Sequence, residues 1–200
     1  MPLPASDMVK ARLMDAADVD RTLNRLARQI VEHLDDEAEP VERLALIGMQ
    51  TRGVHLARRL RDKIEAFEGI KLPFGILDAT LYRDDFRKRL RQPEVQPTDI
   101  PFDVYDRRVV LVDDVVYTGR TTRAALDAIM DIGRPASVRF LAFIDRGLRE
   151  LPVAPDFVGR TVPTVEGEEV RVRVEEIDGE DGVWLVEPKV QSEAAEGGAE

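Results

Sequence analysis

RVVLVDDVVYTGRTT, residues 108–122, is the stretch that decides the fold. Residues 109–112 are four apolar side chains in a row, the pattern of a buried strand. Two carboxylates, Asp113 and Asp114, stand at its carboxyl end, and a small polar turn runs through Thr118, Gly119, Arg120, Thr121 and Thr122. Ala124, Ala125, Ala128, Ile129 and Ile132 then recur at helical spacing. A strand therefore ends in a loop, and the loop opens a helix.

That order of elements suits an anion. A helix start carries unpaired N–H groups and a partial positive charge, so a phosphate fits there. Gly119 permits close backbone approach, and the hydroxyls of Thr118, Thr121 and Thr122 are phosphate donors. Asp113 and Asp114 are acceptors one short loop away, placed for the vicinal hydroxyls of a sugar. A ligand with a ribose and a 5′-phosphate satisfies both ends. Singly, an Asp-Asp pair is compatible with a solvated turn, and Thr-Gly with plain helix capping. The run has neither the Gly-Lys-Ser/Thr of a Walker A loop nor the three spaced glycines of a dinucleotide fingerprint.

Working outward, residues 44–47 read as a strand that enters a Gly-bounded polar loop, Gly48 to Gly53. Val54, Leu56, Ala57, Leu60 and Ile64 mark the following helix. Residues 73–82 read as a further strand. Residues 84–101 are polar, with Pro93, Pro97 and Pro101 and the cations Arg87, Lys88, Arg89 and Arg91. This is either a solvated hairpin loop or a flexible basic lid that closes over a diphosphate leaving group. Gly133 and Pro135 end the central helix, residues 137–144 form a strand, and 145–152 are a charged turn. Open α/β sheets bind ligands at that edge. Short strands are expected at 156–158, 170–174 and 183–186, with Trp184 as a packing residue. Residues 191–200 are Ala/Glu/Gly-rich and read as a disordered tail. Residues 1–16 are an arm or an edge strand.

From Asp18 the period is helical, with Leu23, Leu26, Ala27, Ile30 and Leu34 on one face and Arg21, Arg25 and Arg28 opposite. Asp18 or Asp20 is the expected cap. The arginines are either the solvated side of an amphipathic helix or a basic stripe that meets phosphates. Three strand–helix units predict an α/β domain over residues 1–190, with a mainly parallel sheet and helices on both faces.

Composition narrows the classes. The chain of 200 residues has 44% hydrophobic residues, enough for one domain with a sizeable core. No apolar run approaches the roughly 20 residues of a membrane span, and no secretory leader is evident. There are no cysteines and two histidines, which excludes thiolate chemistry and disfavours a His/Cys zinc site. A cytoplasmic protein is expected. The formal charge of −10 argues against broad, nonspecific nucleic-acid binding, so any RNA site is a local basic patch.

Residues 110–122 resemble the motif that binds 5-phosphoribosyl 1-diphosphate (PRPP) in type I phosphoribosyltransferases. The Asp-Asp form, with Tyr117 and Arg120, resembles the bifunctional pyrimidine operon attenuator and uracil phosphoribosyltransferase family, PyrR; orotate and purine enzymes usually carry Glu-Asp. Residues 80–85, TLYRDD, and 159–164, GRTVPT, are similar to segments of the same family. The resemblance implies the type I phosphoribosyltransferase fold, with a small hood of short strands at about 146–175. It implies transfer of ribose 5-phosphate from PRPP to uracil, with Mg²⁺ carried on PRPP and no metal held by the protein directly. Asp113, Asp114 and Arg52 are the implied catalytic residues. Thr51 and Arg52 contact the diphosphate, Val115, Val116, Tyr117, Thr118, Gly119, Arg120 and Thr121 line the phosphate end, and Arg91 belongs to the lid. Arg146 and the backbone near Val170 face the base. The resemblance further implies a regulator that binds pyrimidine-operon leader mRNA in response to UMP or UTP, as a homodimer or larger homo-oligomer. Asn24, Arg25 and Arg28 lie where the family contacts RNA, beside the cations Arg21 and Arg160. A phosphoribosyltransferase without an RNA role, or one using orotate or a purine, is the alternative.

Overall fold

The computed structural model describes residues 7–36, 40–82 and 97–188. Arg91 and most of the expected lid, and the expected tail 191–200, lie outside these described residues. In chain order the elements are β1 (Asp7–Met14), α1 (Ala16–Asp36), β2 (Leu44–Met49), α2 (Arg52–Glu68), β3 (Phe74–Leu77), β4 (Arg108–Val116), α3 (Arg120–Ile132), β5 (Ser137–Asp145), β6 (Phe157–Thr161), β7 (Glu169–Arg173), α4 (Glu175–Asp178) and β8 (Gly182–Pro188).

β4 is the strand of the opening stretch, and its position explains its composition. The main sheet has the order β3-β2-β4-β5-β6, with every pair parallel. β4 is thus the middle strand, covered on both faces, and a strand so placed reads as a continuous apolar run. Its side chains alternate. Val110 and Val112 enter a core with Leu23, Leu26 and Ile30 of α1 and Leu56, Leu60 and Ile64 of α2. Val109 and Leu111 enter a second core with Ala124, Ala125, Ala128 and Ile129 of α3. The small alanines let α3 lie close to the sheet.

α1 begins with a reciprocal cap. The Asp18 amide donates to Asp15 Oδ1 at 2.8 Å, and the Asp15 amide donates to Asp18 Oδ2 at 3.1 Å. The cap is therefore Asp15, with Asp18 completing it. Asp20 instead accepts from Lys63 of α2 at 2.7 Å.

Two expectations are corrected. β3 stops at Leu77, because Asp78 Oδ1 accepts the Thr80 amide at 2.8 Å and turns the chain. Its outer edge is covered where the Ile76 and Asp99 amides exchange hydrogen bonds with each other's carbonyls, at 2.7 and 2.9 Å. The strand expected at 156–158 is β6, which joins the parallel sheet beside β5 and not the hood.

The second sheet is antiparallel, in the order β1-β8-β7. It draws on residues 7–14 and 182–188 as well as 169–173, beyond the 146–175 segment. Of the segment 1–16, read as an arm or an edge strand, residues 7–14 form the edge strand β1. Val172, Val174 and Val183 join the α1/α2 core, so this sheet packs on the same side as those helices. Among the described residues no helix is long and apolar enough to cross a membrane.

Candidate active site

β2 and β4 are neighbours and parallel, so their carboxyl ends lie at one edge of the sheet. The two predicted loops therefore meet. Gly53 makes the approach close. A Cβ there would stand 2.6 Å from Val112 O and 3.2 Å from the Cα of Asp113. The start of α2, with Thr51 and Arg52, is in this way set against the acids at the end of β4. Thr51 is exposed at the helix cap, and its side chain makes no cap bond.

Asp113 is buried at 7% exposure, and its Oδ1 accepts the Asp114 amide at 3.0 Å. Asp114 Oδ1 accepts the Val115 amide at 2.9 Å. Burial lifts the Asp114 carboxyl above its ordinary range, and the charge of Arg52 opposes that rise. Val115 and Val116 point into the cores, so any contact they make with a ligand runs through the backbone.

The loop after β4 turns its carbonyls to a different partner. Thr118 O accepts the amides of Glu150 and Leu151 at 3.0 and 3.1 Å, and Tyr117 O accepts Arg149 Nη1 at 2.8 Å. Gly119, at φ 88°, caps α3 in a conformation that L side chains seldom adopt, with Val153 packed beside it. The first amides of α3 have no intrahelical acceptor, and that of Arg120 donates to Thr118 Oγ1 at 3.4 Å. Arg120 Nε pairs with Glu150 at 2.7 Å. Thr122, named as a candidate donor, is 1% exposed and belongs to the packed side of α3.

Arg146 is buried and spoken for. Its Nε donates to Thr164 Oγ1 at 3.1 Å and its Nη2 to Glu168 O at 2.5 Å. The guanidinium stacks 4.0 Å from the Tyr117 ring centre. It therefore joins the phosphate loop to residues 164–168. Val170 sits in β7, opposite Leu185, on the edge strand of the small sheet.

Arg52 is held from the hood. Its Nε donates to Asp178 Oδ2 at 2.9 Å and its Nη2 to Asp178 Oδ1 at 2.8 Å. Two turns along α2, Arg59 pairs with both Glu176 and Asp181 at 2.7–2.9 Å. The acids at 175–181 were not singled out from the sequence. They lie more than 100 residues from their partners, and an acidic run before a strand reads as ordinary surface.

Burial pushes Glu176, Asp178 and Asp181 up, and the arginine partners outweigh it, leaving each below its ordinary value. A depressed carboxylate contributes stability above its unfolded pKa and loses it as pH falls through the folded value. The urea midpoint is thus expected to fall below about pH 4, and more steeply than in Asp181→Asn, which lacks one of these acids. Parallel pH curves for the two proteins would contradict this.

The residues foreseen for RNA share one surface, but each has an internal contact. Arg25 donates to Val158 O and Gly159 O on β6, and Arg160 of β6 donates to Leu13 O on β1. Arg21 pairs with Asp18, Asn24 donates to Asp20, and Arg28 stacks 4.6 Å from the Phe67 ring centre. Among the described residues no group of three or more His, Cys, Asp or Glu side chains is arranged to hold a metal ion.

The family model of the phosphoribosyl transferase domain matches residues 12–177. The protein named bifunctional protein PyrR from Deinococcus radiodurans is 48% identical over 180 residues, covering 90% of this chain and 96% of that relative. Its namesake from Thermus aquaticus is 52% identical over 178 residues, covering 89% and 96%. Among solved structures, the hypoxanthine phosphoribosyltransferase of Trypanosoma cruzi superposes with a TM-score of 0.68 at 14% identity, covering 90% of this chain and 98% of that one. The enzyme of Leishmania tarentolae in complex with GMP gives 0.68 at 19% identity, covering 91% and 98%. These two likenesses speak to the fold.

Proposed function

Because the chain belongs to the phosphoribosyl transferase domain family, among the relatives named bifunctional protein PyrR, we propose that it transfers ribose 5-phosphate from PRPP to uracil and regulates pyrimidine-operon mRNA. The observation that carries the reading is the meeting of the Asp113–Asp114 pair, the Thr51–Arg52 turn and the helix-start cradle of α3 at one sheet edge.

In this mechanism the amides of 118–121 and the Thr118 and Thr121 hydroxyls hold the 5′-phosphate. Asp113 and Asp114 accept from the ribose hydroxyls and fix C1 between leaving group and base. The bond from C1 to the diphosphate oxygen breaks, and a bond from C1 to uracil N1 forms as N1 loses its proton. Positive charge grows on the ribose as the diphosphate leaves, and the carboxylates beneath the ring stabilise it. Arg52 meets the charge of the departing diphosphate. A Mg²⁺ carried on PRPP fits the carboxylates of Asp113 and Asp114, which would lie beside the ribose hydroxyls. When bound, Mg²⁺ neutralises diphosphate charge.

The assay is direct. Purified protein with Mg²⁺, PRPP and uracil should yield UMP and diphosphate, with orotate and hypoxanthine as poor acceptors. No UMP, together with no binding of PRPP or UMP, would end the reading. The protein works in the cytoplasm as a homodimer or larger assembly.

For the RNA role, a gel shift with a pyrimidine-operon leader should strengthen when UMP is added. Arg25→Ala should keep uracil transfer, weaken RNA binding several-fold with a shallower salt dependence, and cost about 1 kcal/mol of stability from the lost β6 contacts. A specific observation favours the enzyme-only alternative: Arg21, Arg25, Arg28 and Arg160 each already have a protein partner. Absence of a shift at low salt, with full uracil transfer, would select that alternative.

A further inference from the structure

We infer that Asp178 is a positioning residue for the transfer reaction: its carboxylate orients the Arg52 guanidinium so that the free donor edge of Arg52 meets the diphosphate of PRPP. The inference rests on the proposed role of Arg52.

A guanidinium has five N–H donors in a flat fork. Asp178 occupies one edge, taking Nε–H and one hydrogen of Nη2. Of the three remaining hydrogens, one on Nη1 and one on Nη2 form a second edge that matches two phosphate oxygens. Asp178 and a diphosphate can therefore be held at the same time. Arg52 opens the helix that lies against the end of β4, since a Cβ on Gly53 would stand 3.2 Å from the Cα of Asp113, and its charge and that of Asp114 act on each other.

Asp178 is itself fixed. Its side chain is 4% exposed, and Oδ2 also accepts the Val174 amide at 3.0 Å. A carboxylate held this firmly removes the rotamer freedom that a lone arginine would have to lose on binding. The pair is not needed to attach the hood to α2. Arg59 already makes that attachment through Glu176 and Asp181, and the Asp181 Oδ1 also accepts the Glu175 amide at 2.8 Å. An orienting carboxylate that acts through a second residue is the arrangement that locks ligating side chains elsewhere.

The test is steady-state kinetics and binding with four variants of the full chain. Asp178→Asn keeps the shape and loses the charge. It should raise KM for PRPP and the inhibition constant for diphosphate together, by about tenfold, and leave KM for uracil and the Kd for UMP, which has no diphosphate, within twofold. Arg52→Ala should do the same more strongly, and the double variant should be no worse than Arg52→Ala alone. Glu176→Gln should lower Tm without moving KM for PRPP. If Arg52→Ala leaves KM for PRPP unmoved, the proposed role of Arg52 fails. If Arg52→Ala raises it and Asp178→Asn does not, Asp178 is not a positioning residue. A loss of UMP affinity equal to the loss of PRPP affinity would mark a structural role and overturn the inference. Should Asp178→Asn fail to fold, Asp178→Glu keeps the charge and displaces the fork, and must show the same selective rise in KM for PRPP.

Discussion

Asp114→Asn is expected to cut kcat/KM for PRPP by about a hundredfold or more, while the folded protein melts at a higher temperature. The two effects have one origin. In the proposed mechanism Asp114 accepts from the sugar and carries charge beneath the reacting carbon, so its neutral isostere removes an interaction that strengthens as the ribose becomes positive. In the free protein that charge is a burden. Burial raises its pKa, so the folded state holds the proton more tightly than the unfolded chain. Stability is then greatest below the unfolded value and is lost as pH rises through the folded one. At neutral pH the asparagine has no charge to desolvate. Calorimetry at pH 7.5 beside a PRPP-dependent assay measures both. Undiminished turnover would remove Asp114 from the mechanism, and a lower melting temperature would show that its charge stabilises the fold.

Gly53→Ala should be damaging out of proportion to one methyl group. The new Cβ would stand 2.6 Å from Val112 O, a backbone atom of the middle strand that cannot rotate away. Either α2 lifts off the sheet or β4 shifts, at a cost of about 2–3 kcal/mol. Both relaxations separate Arg52 from Asp113 and Asp114, so activity should fall further than stability alone accounts for. A urea titration gives the first quantity, and kcat/KM measured well below the melting temperature gives the second. Wild-type values for both would mean that the helix and the strand are not in tight register.

Residues 109–112 could be read as a covered strand because the middle of a parallel sheet needs apolar side chains on both faces. The strand–loop–helix unit at 108–132 was legible because strand, acids, Thr-Gly and helix start are contiguous, and local chemistry leaves a local signal. The antiparallel sheet was legible only in pieces, since β1 is recognised by its partner β8, 169 to 181 residues away from pair to pair, and not by any period of its own. Asp178 was invisible for the same reason. Its meaning lies in Arg52, which a linear reading cannot place beside it. Arg146 and Arg25 illustrate a further limit. A sequence shows that a cation is present but not whether its hydrogens are already committed to carbonyls of the same chain.

The pairing of β1 with β8, Asp7 opposite Pro188, has a consequence for biosynthesis. On the ribosome the first strand must wait on the order of ten seconds or longer, at ordinary translation speeds, before its neighbour emerges. The strands of the parallel sheet, which end at Thr161, emerge before β8 does. Arg52 likewise waits for its carboxylate, since Asp178 of α4 follows the last strand of the parallel sheet in the chain and leaves the tunnel just ahead of β8.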